Sequence, residues 1–184
     1  MNGIDRVQQK VALASTLVRG GNVREVTTII GDKTWAKMKG LGLRRDLAIP
    51  FSAPEAALPI LVRPLREDDI PLLLGTDDPA LPGAARIERL NRVNMIRAGF
   101  TRCFVAATAD DVPCYMQFLI GADENDLLRT YFRGLYPALA PDEALLEGAF
   151  TPEPFRGQRI MPSAMAQIAS KACLLYTSPS PRDS

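Results

Sequence analysis

Near the start of the chain, apolar residues recur at steps of three and four. Ile4, Val7, Val11, Ala14 and Val18 predict an amphipathic helix, closed by Gly20 and Gly21. Val23–Ile30 (VREVTTII) fits a strand by its β-branched content and a helix face through Val23, Val26 and Ile30, so both stay open. Asp32 caps an expected short helix through Lys39, carrying Trp35 and Met38 and ended by Gly40 and Gly42. Residues 46–59 hold Pro50, Pro54 and Pro59 among small apolar residues and read as a linker.

A different pattern begins at Ile60. Ile60–Val62 predicts a short strand, closed by Arg63-Pro64. Glu67, Asp68 and Asp69 open a short helix over Ile70–Leu74, where acidic residues suit the helix dipole. Ala84–Ala98 predicts an amphipathic helix with Gly99 as its C-cap. A hairpin follows: Cys103–Ala107, a turn at Asp110-Asp111, and Pro113–Ile120. The second strand, PCYMQFLI, is apolar on both faces, as expected of a central strand covered on both sides. Asp126–Leu135 reads as helix or loop, and Pro137 and Pro141 frame an irregular stretch. Asp142–Thr151 predicts a strand. From Pro162, the spacing of Met165, Ile168, Ala169 and Ala172 predicts a helix with Pro162 at its first position.

Composition narrows the chemistry. The chain has 184 residues, 47% of them apolar, and a net charge of +1, so nothing global points to nucleic acid. Residues 1–50 hold nine Lys/Arg against four Asp/Glu, or +5, which leaves −4 for the rest. This basic extension, 1–45, suits packing as a helical hairpin, a partner, a second copy (a homodimer) or a membrane surface. The chain has no histidine, so His-ligated metals and His-based triads are excluded, and no metal is expected. A general base must then be a carboxylate, a Tyr, a Cys, a terminus or water. Cys103, Cys114 and Cys173 lack metal-type spacing. No apolar run of about 20 residues occurs, so no membrane span is expected, and a cytoplasmic location is the default.

The stretch Glu147–Ala172 carries the most chemistry. A strand passes through Pro-Glu-Pro and Arg156-Gly157 into a helix start. The first N–H groups of a helix lack intrahelical partners and sit at the positive end of the dipole, a natural seat for phosphate. Arg156 and Arg159 add charge there, and Gly157 lets the backbone come close.

Two stretches together resemble the GNAT superfamily of acyl-CoA N-acyltransferases. ILVRPLREDDIPLLL, with Arg63-Pro64, Arg66, Asp69 and Pro71, resembles that family's first strand and helix. TPEPFRGQRIMPSAM resembles its acyl-CoA motif, a Pro-Glu turn running into an Arg-Gly-x-Gly-x-Gly/Ala loop and a helix; the two later small positions fall on Arg159 and Met161. The resemblance covers residues 60–172. It implies an α/β (α+β) fold with a mixed, mostly antiparallel sheet flanked by helices, incomplete at the C-terminus, because the family's further strand, helix and hairpin would follow Ala172. It implies acetyl-CoA as co-substrate and a primary amine as acceptor. Arg156, Gly157, Gln158, Arg159, Ile160 and Met161 would hold the pyrophosphate. Backbone groups of Ala149, Phe150 and Thr151 would be free to pair with the pantetheine arm. Glu147 is the candidate base, set among apolar residues that would raise its pKa; a strand-edge Glu paired with an arginine is the competing reading. The family's acid, often a Tyr, would fall beyond Ala172, and Tyr115, Tyr131 and Tyr136 do not match its position.

From Cys173 the helix pattern is expected to break into Ser/Pro punctuation, and CLLYTSPSPRD resembles a translated sequencing adapter, so 173–184 is expected to be non-native. Two function classes follow: an N-acetyltransferase, inactive as a truncated chain, and a non-catalytic acyl-CoA-binding or protein-interaction module.

Overall fold

The computed structural model describes residues 43–177, with side chains through residue 171. The helices expected over Ile4–Val18 and Asp32–Lys39, and the ambiguous Val23–Ile30, lie outside the described residues.

The chain divides into two compact units, one of Met1–Arg45 with Thr76–Glu88, the other of Asp46–Gly75 with Arg89–Ser184. The described part of the first unit holds a loop stapled by Arg86, whose guanidinium donates to Thr76 O at 2.6 Å and Asp78 O at 3.0 Å.

The second unit is built on a four-stranded antiparallel sheet in the order β1-β2-β3-β4. Its strands are β1 (Leu61–Pro64), β2 (Cys103–Ala107), β3 (Pro113–Gly121) and β4 (Ala144–Phe150). The helices are α1 (Asp69–Leu74), α2 (Gly83–Ala98), which enters this unit at Arg89, α3 (Asn125–Tyr131) and α4 (Ile160–Thr177). Every residue of β3 is buried, as its two apolar faces predict.

Each face of the sheet has its own core. On one, Met116, Phe118 and Ile120 of β3 pack with Leu73 and Leu74 of α1, Met95 of α2, Phe100, Leu128 of α3, and Phe150. On the other, Tyr115 and Leu119 pack with Val62, Ala106, and Ile160, Ala164 and Ile168 of α4. The α4 residues recur every four positions, which keeps them on one stripe. Each large apolar side chain so buried contributes roughly 1.5–3 kcal/mol. Leu128, Tyr131, Phe132, Tyr136 and Leu139 also join the first core, so the segment between β3 and β4 packs on the sheet.

Three expectations need correction. Residues 46–59 are not a free linker throughout: Ala56 and Leu58 pack on the second core, and Ala57 N donates to Gln158 O at 2.9 Å. The last helix starts at Ile160, not Pro162, because Arg159 (φ 56°) turns the chain in just before it. Pro162 is then third in the helix, still within the first turn, where its missing N–H costs little. The helix also continues past Cys173 to Thr177, since no Gly or Pro interrupts that run and Pro179 comes only after it.

Candidate functional site

β4 is the strand that shapes the site. Its register against β3 pairs Phe118 with Glu147 and Met116 with Phe150, so two steps along β3 match three along β4. This bulge falls at Gly148, whose φ of 65° is left-handed. A bulge turns carbonyls out of the ladder, and Arg92 of α2 collects them. Its Nε donates to Gly148 O at 3.2 Å and its Nη2 to Ala149 O at 2.6 Å. The same guanidinium lies 5.2 Å from the Phe150 ring centre, where cation–π attraction adds to the hold.

Glu147, just before the bulge, is half-buried on the face of the first core. Its partner is not an arginine. The Tyr136 hydroxyl donates to Glu147 Oε2 at 2.5 Å. Among the described residues no cation pairs with this carboxylate. Burial first, and the carboxylate second, push the Tyr136 hydroxyl up to about 12, so it stays a donor at neutral pH. Tyr136 ends a run of edge-on aromatic contacts through Phe132, Tyr131 and Phe100.

Beyond β4, Glu153–Phe155 make one 3-10 turn and the chain crosses Arg156–Arg159 into α4. Gly157 (φ 77°) and Arg159 (φ 56°) are both left-handed, which turns successive N–H groups outward. The N–H groups of Gly157, Gln158, Arg159, Ile160 and Met161 donate to no acceptor among the described residues. Arg156, Gly157 and Arg159 are exposed, while Ile160 is buried and anchors the helix. A β-carbon on Gly157 would meet no atom, so the approach to the loop is open.

Of the backbone groups expected to be free at Ala149, Phe150 and Thr151, two carbonyls are in use. Ala149 O accepts from Arg92, Phe150 stands in the β3 ladder, and Thr151 O accepts from Arg156 Nε at 3.0 Å. Arg156 is thereby a brace between strand and loop. A carbonyl keeps a second lone pair, so these contacts narrow the room for a further strand-like partner without removing it.

Near the start of the sheet, Arg63 and Asp69 form a buried two-pronged pair at 2.6 and 2.9 Å. Asp69 stands in the first turn of α1, as its suitability for the helix dipole suggested, and is also buried. Its Oδ2 also accepts from Arg66 N at 2.8 Å, and Asp111 bridges Arg63 and Arg66 at 2.9 and 2.6 Å. This network is architectural, with every prong answered.

Cys103 and Cys114 are free and buried, and burial pushes the thiols up to about 12 and about 11. Neither is poised as a nucleophile. Among the described residues no His/Cys/Asp/Glu group could hold a metal ion, and no helix is long and apolar enough to cross a membrane. A shallow depression of about 320 Å³ is lined by Glu55–Ile60, Ser163 and Gln167; its lining includes neither Glu147 nor the 156–161 loop.

The sequence points to Glu147 and the loop, sets Tyr136 aside as the family's acid, and gives no signal for Arg92. Tyr136 lies in an irregular stretch with no periodic signal, and Arg92 is one of several arginines spread around a helix. No protein-family model, no curated protein and no solved structure matches the chain.

Proposed function

We propose that this fold serves an acyl-CoA-dependent N-acyltransferase of the GNAT type, transferring acetyl from acetyl-CoA to a primary amine. The observation that carries the reading is the row of N–H groups from Gly157 to Met161 with no partner among the described residues, set at the start of an 18-residue helix and flanked by Arg156 and Arg159. Such a row suits the pyrophosphate of a nucleotide cofactor. A kinked strand with a half-buried carboxylate leads into it, which suits a reaction that joins a thioester to an amine. The amine nitrogen attacks the thioester carbon, the C–S bond breaks, and the thiolate leaves. Glu147 takes one proton from the bound ammonium group, which frees the nitrogen lone pair for attack, and the second proton, shed as the C–N bond forms, passes to the departing thiolate. Holding both reactants in register would supply much of the rate.

Calorimetric titration of acetyl-CoA tests the cofactor seat. The double variant Arg156→Ala, Gly157→Asp removes one cation and sets an anion in the loop. Binding is expected to weaken at least 10-fold, about 1.4 kcal/mol or more. Undiminished binding would place the nucleotide elsewhere. The exposed Arg159 and Met161, where the family carries small residues, favour a second reading as a non-catalytic acyl-CoA binder. Tight acetyl-CoA binding with no turnover across a broad amine panel, in a full-length version that carries the family's further strand, helix and hairpin, would select it.

A further inference from the structure

The surroundings of Glu147 bear on which amine this site takes. One carboxylate oxygen accepts from Tyr136 at 2.5 Å, and no described cation neutralises the group. Of the arginines nearby, Arg92 is committed to Gly148 O and Ala149 O, Arg129 pairs with Asp126 at 2.8 Å, and Arg133 is exposed at a left-handed position. A half-buried carboxylate with no cation paired to it among the described residues is costly to keep, and an incoming cation relieves that cost.

The rings beside it set what else can bind. Tyr136 and Phe132 stand 5.0 Å apart at 81°, and Phe132 and Tyr131 stand 4.9 Å apart at 74°. All three are half-buried at the edge of the first core. Across the strand from Glu147 stands the buried Phe118. The wall running away from the carboxylate is thus aromatic, and Glu147 is the anion that Tyr136 holds at its end. A polyamine would want several anions. A polyhydroxylated amine would lose its hydration against the rings without recovering hydrogen bonds.

We propose that Glu147 and Tyr136 seat the ammonium group of a monoamine with an aromatic or alkyl body, which lies along Phe132 and Tyr131. Calling this amine the acceptor rests on the acyltransferase reading; the binding site itself does not. The carboxylate meets the charge, the rings meet the body, and the Tyr136 hydroxyl fixes the carboxylate so that its second oxygen faces the ligand.

The test is a calorimetric series on the full chain with 2-phenylethylamine, its neutral analogue 2-phenylethanol, and glucosamine, which needs no variant. 2-Phenylethylamine is expected to bind at least 10-fold tighter than either. Equal binding of the alcohol overturns the ammonium seat, equal binding of glucosamine overturns the aromatic wall, and no binding of the amine overturns both. In variants checked for an unchanged thermal melt, Glu147→Gln is expected to weaken amine binding at least 10-fold and Phe132→Leu several-fold. Unchanged binding in Glu147→Gln also overturns the proposal. Acetyl-CoA titrated in parallel separates the two ideas. Amine binding without acetyl-CoA binding upholds this site and sinks the transferase reading, and the reverse sinks this site alone.

Discussion

Replacing Asp69 by alanine is expected to destabilise the fold by about 3–5 kcal/mol, the usual cost of stripping one partner from a buried ion pair. The side chains of Arg63 and Asp69 are 10% and 5% exposed, so neither charge can fall back on water. Without Asp69, Arg63 keeps Asp111 and the Pro64 carbonyl, and Arg66 N loses its acceptor. That leaves a charge in the sheet with too few acceptors. Urea unfolding at pH 7, read as a shift of the midpoint at constant slope, measures the loss. A loss under about 1 kcal/mol would mean the pair is hydrated in solution. The apolar double replacement Arg63→Met, Asp69→Leu is expected to cost much less, because it removes the charge with its partner.

The same pair sets the acid limit of the fold. The Arg63 hydrogen bond, aided by Arg66 N, holds the Asp69 carboxyl below the usual carboxylate range. Arg102 does the same for Asp123. A folded pKa below the unfolded one means the unfolded chain binds more protons in the window between them, so stability rises with pH there. The contribution is complete above the unfolded value of about 4 and is lost as pH falls through the folded values. Asp69→Asn is expected to flatten the slope of stability against pH below about 4. A slope identical to the parent's would assign acid lability to other carboxylates.

How far the sequence carried the fold depends on which signals were local. The β2–β3 hairpin, the wholly buried β3 and the helix from Gly83 to Ala98 all follow from periodicity and turn residues. Asp69 lies in the first helical turn, as its acidity there suggests, and pairs with Arg63 as well. A carboxylate at a helix start reads as a dipole partner, and only the return of β1 beside α1 shows that it faces Arg63. The Tyr136–Glu147 contact spans eleven residues through proline-framed irregular backbone, and Arg92 reaches Gly148 across 56 residues. No spacing rule encodes such contacts. The site was therefore legible along the chain, as strand, loop and helix, and illegible across it.

Gly148→Ala is expected to cost about 2–4 kcal/mol, the sum of left-handed strain of roughly 1 kcal/mol and overpacking of roughly 1–3 kcal/mol. The added β-carbon would stand 2.8 Å from Phe118 Cδ2 and 3.2 Å from Met95 Sδ, and both neighbours are buried too tightly to yield freely. Gly134 supplies the internal control. Its φ of 72° is nearly the same, but nothing lies within 4 Å of its would-be β-carbon. Gly134→Ala should therefore show the backbone component alone, about 1 kcal/mol. The difference between the two, measured by urea unfolding, isolates the close packing at the bulge, and equal losses would mean that β4 relaxes away from Phe118. Moving β4 would also shift the carbonyls held by Arg92 and the carboxylate held by Tyr136. Ligand binding at Glu147 is then expected to weaken in Gly148→Ala and to stay intact in Gly134→Ala, which ties the kink in the strand to the site rather than to stability alone.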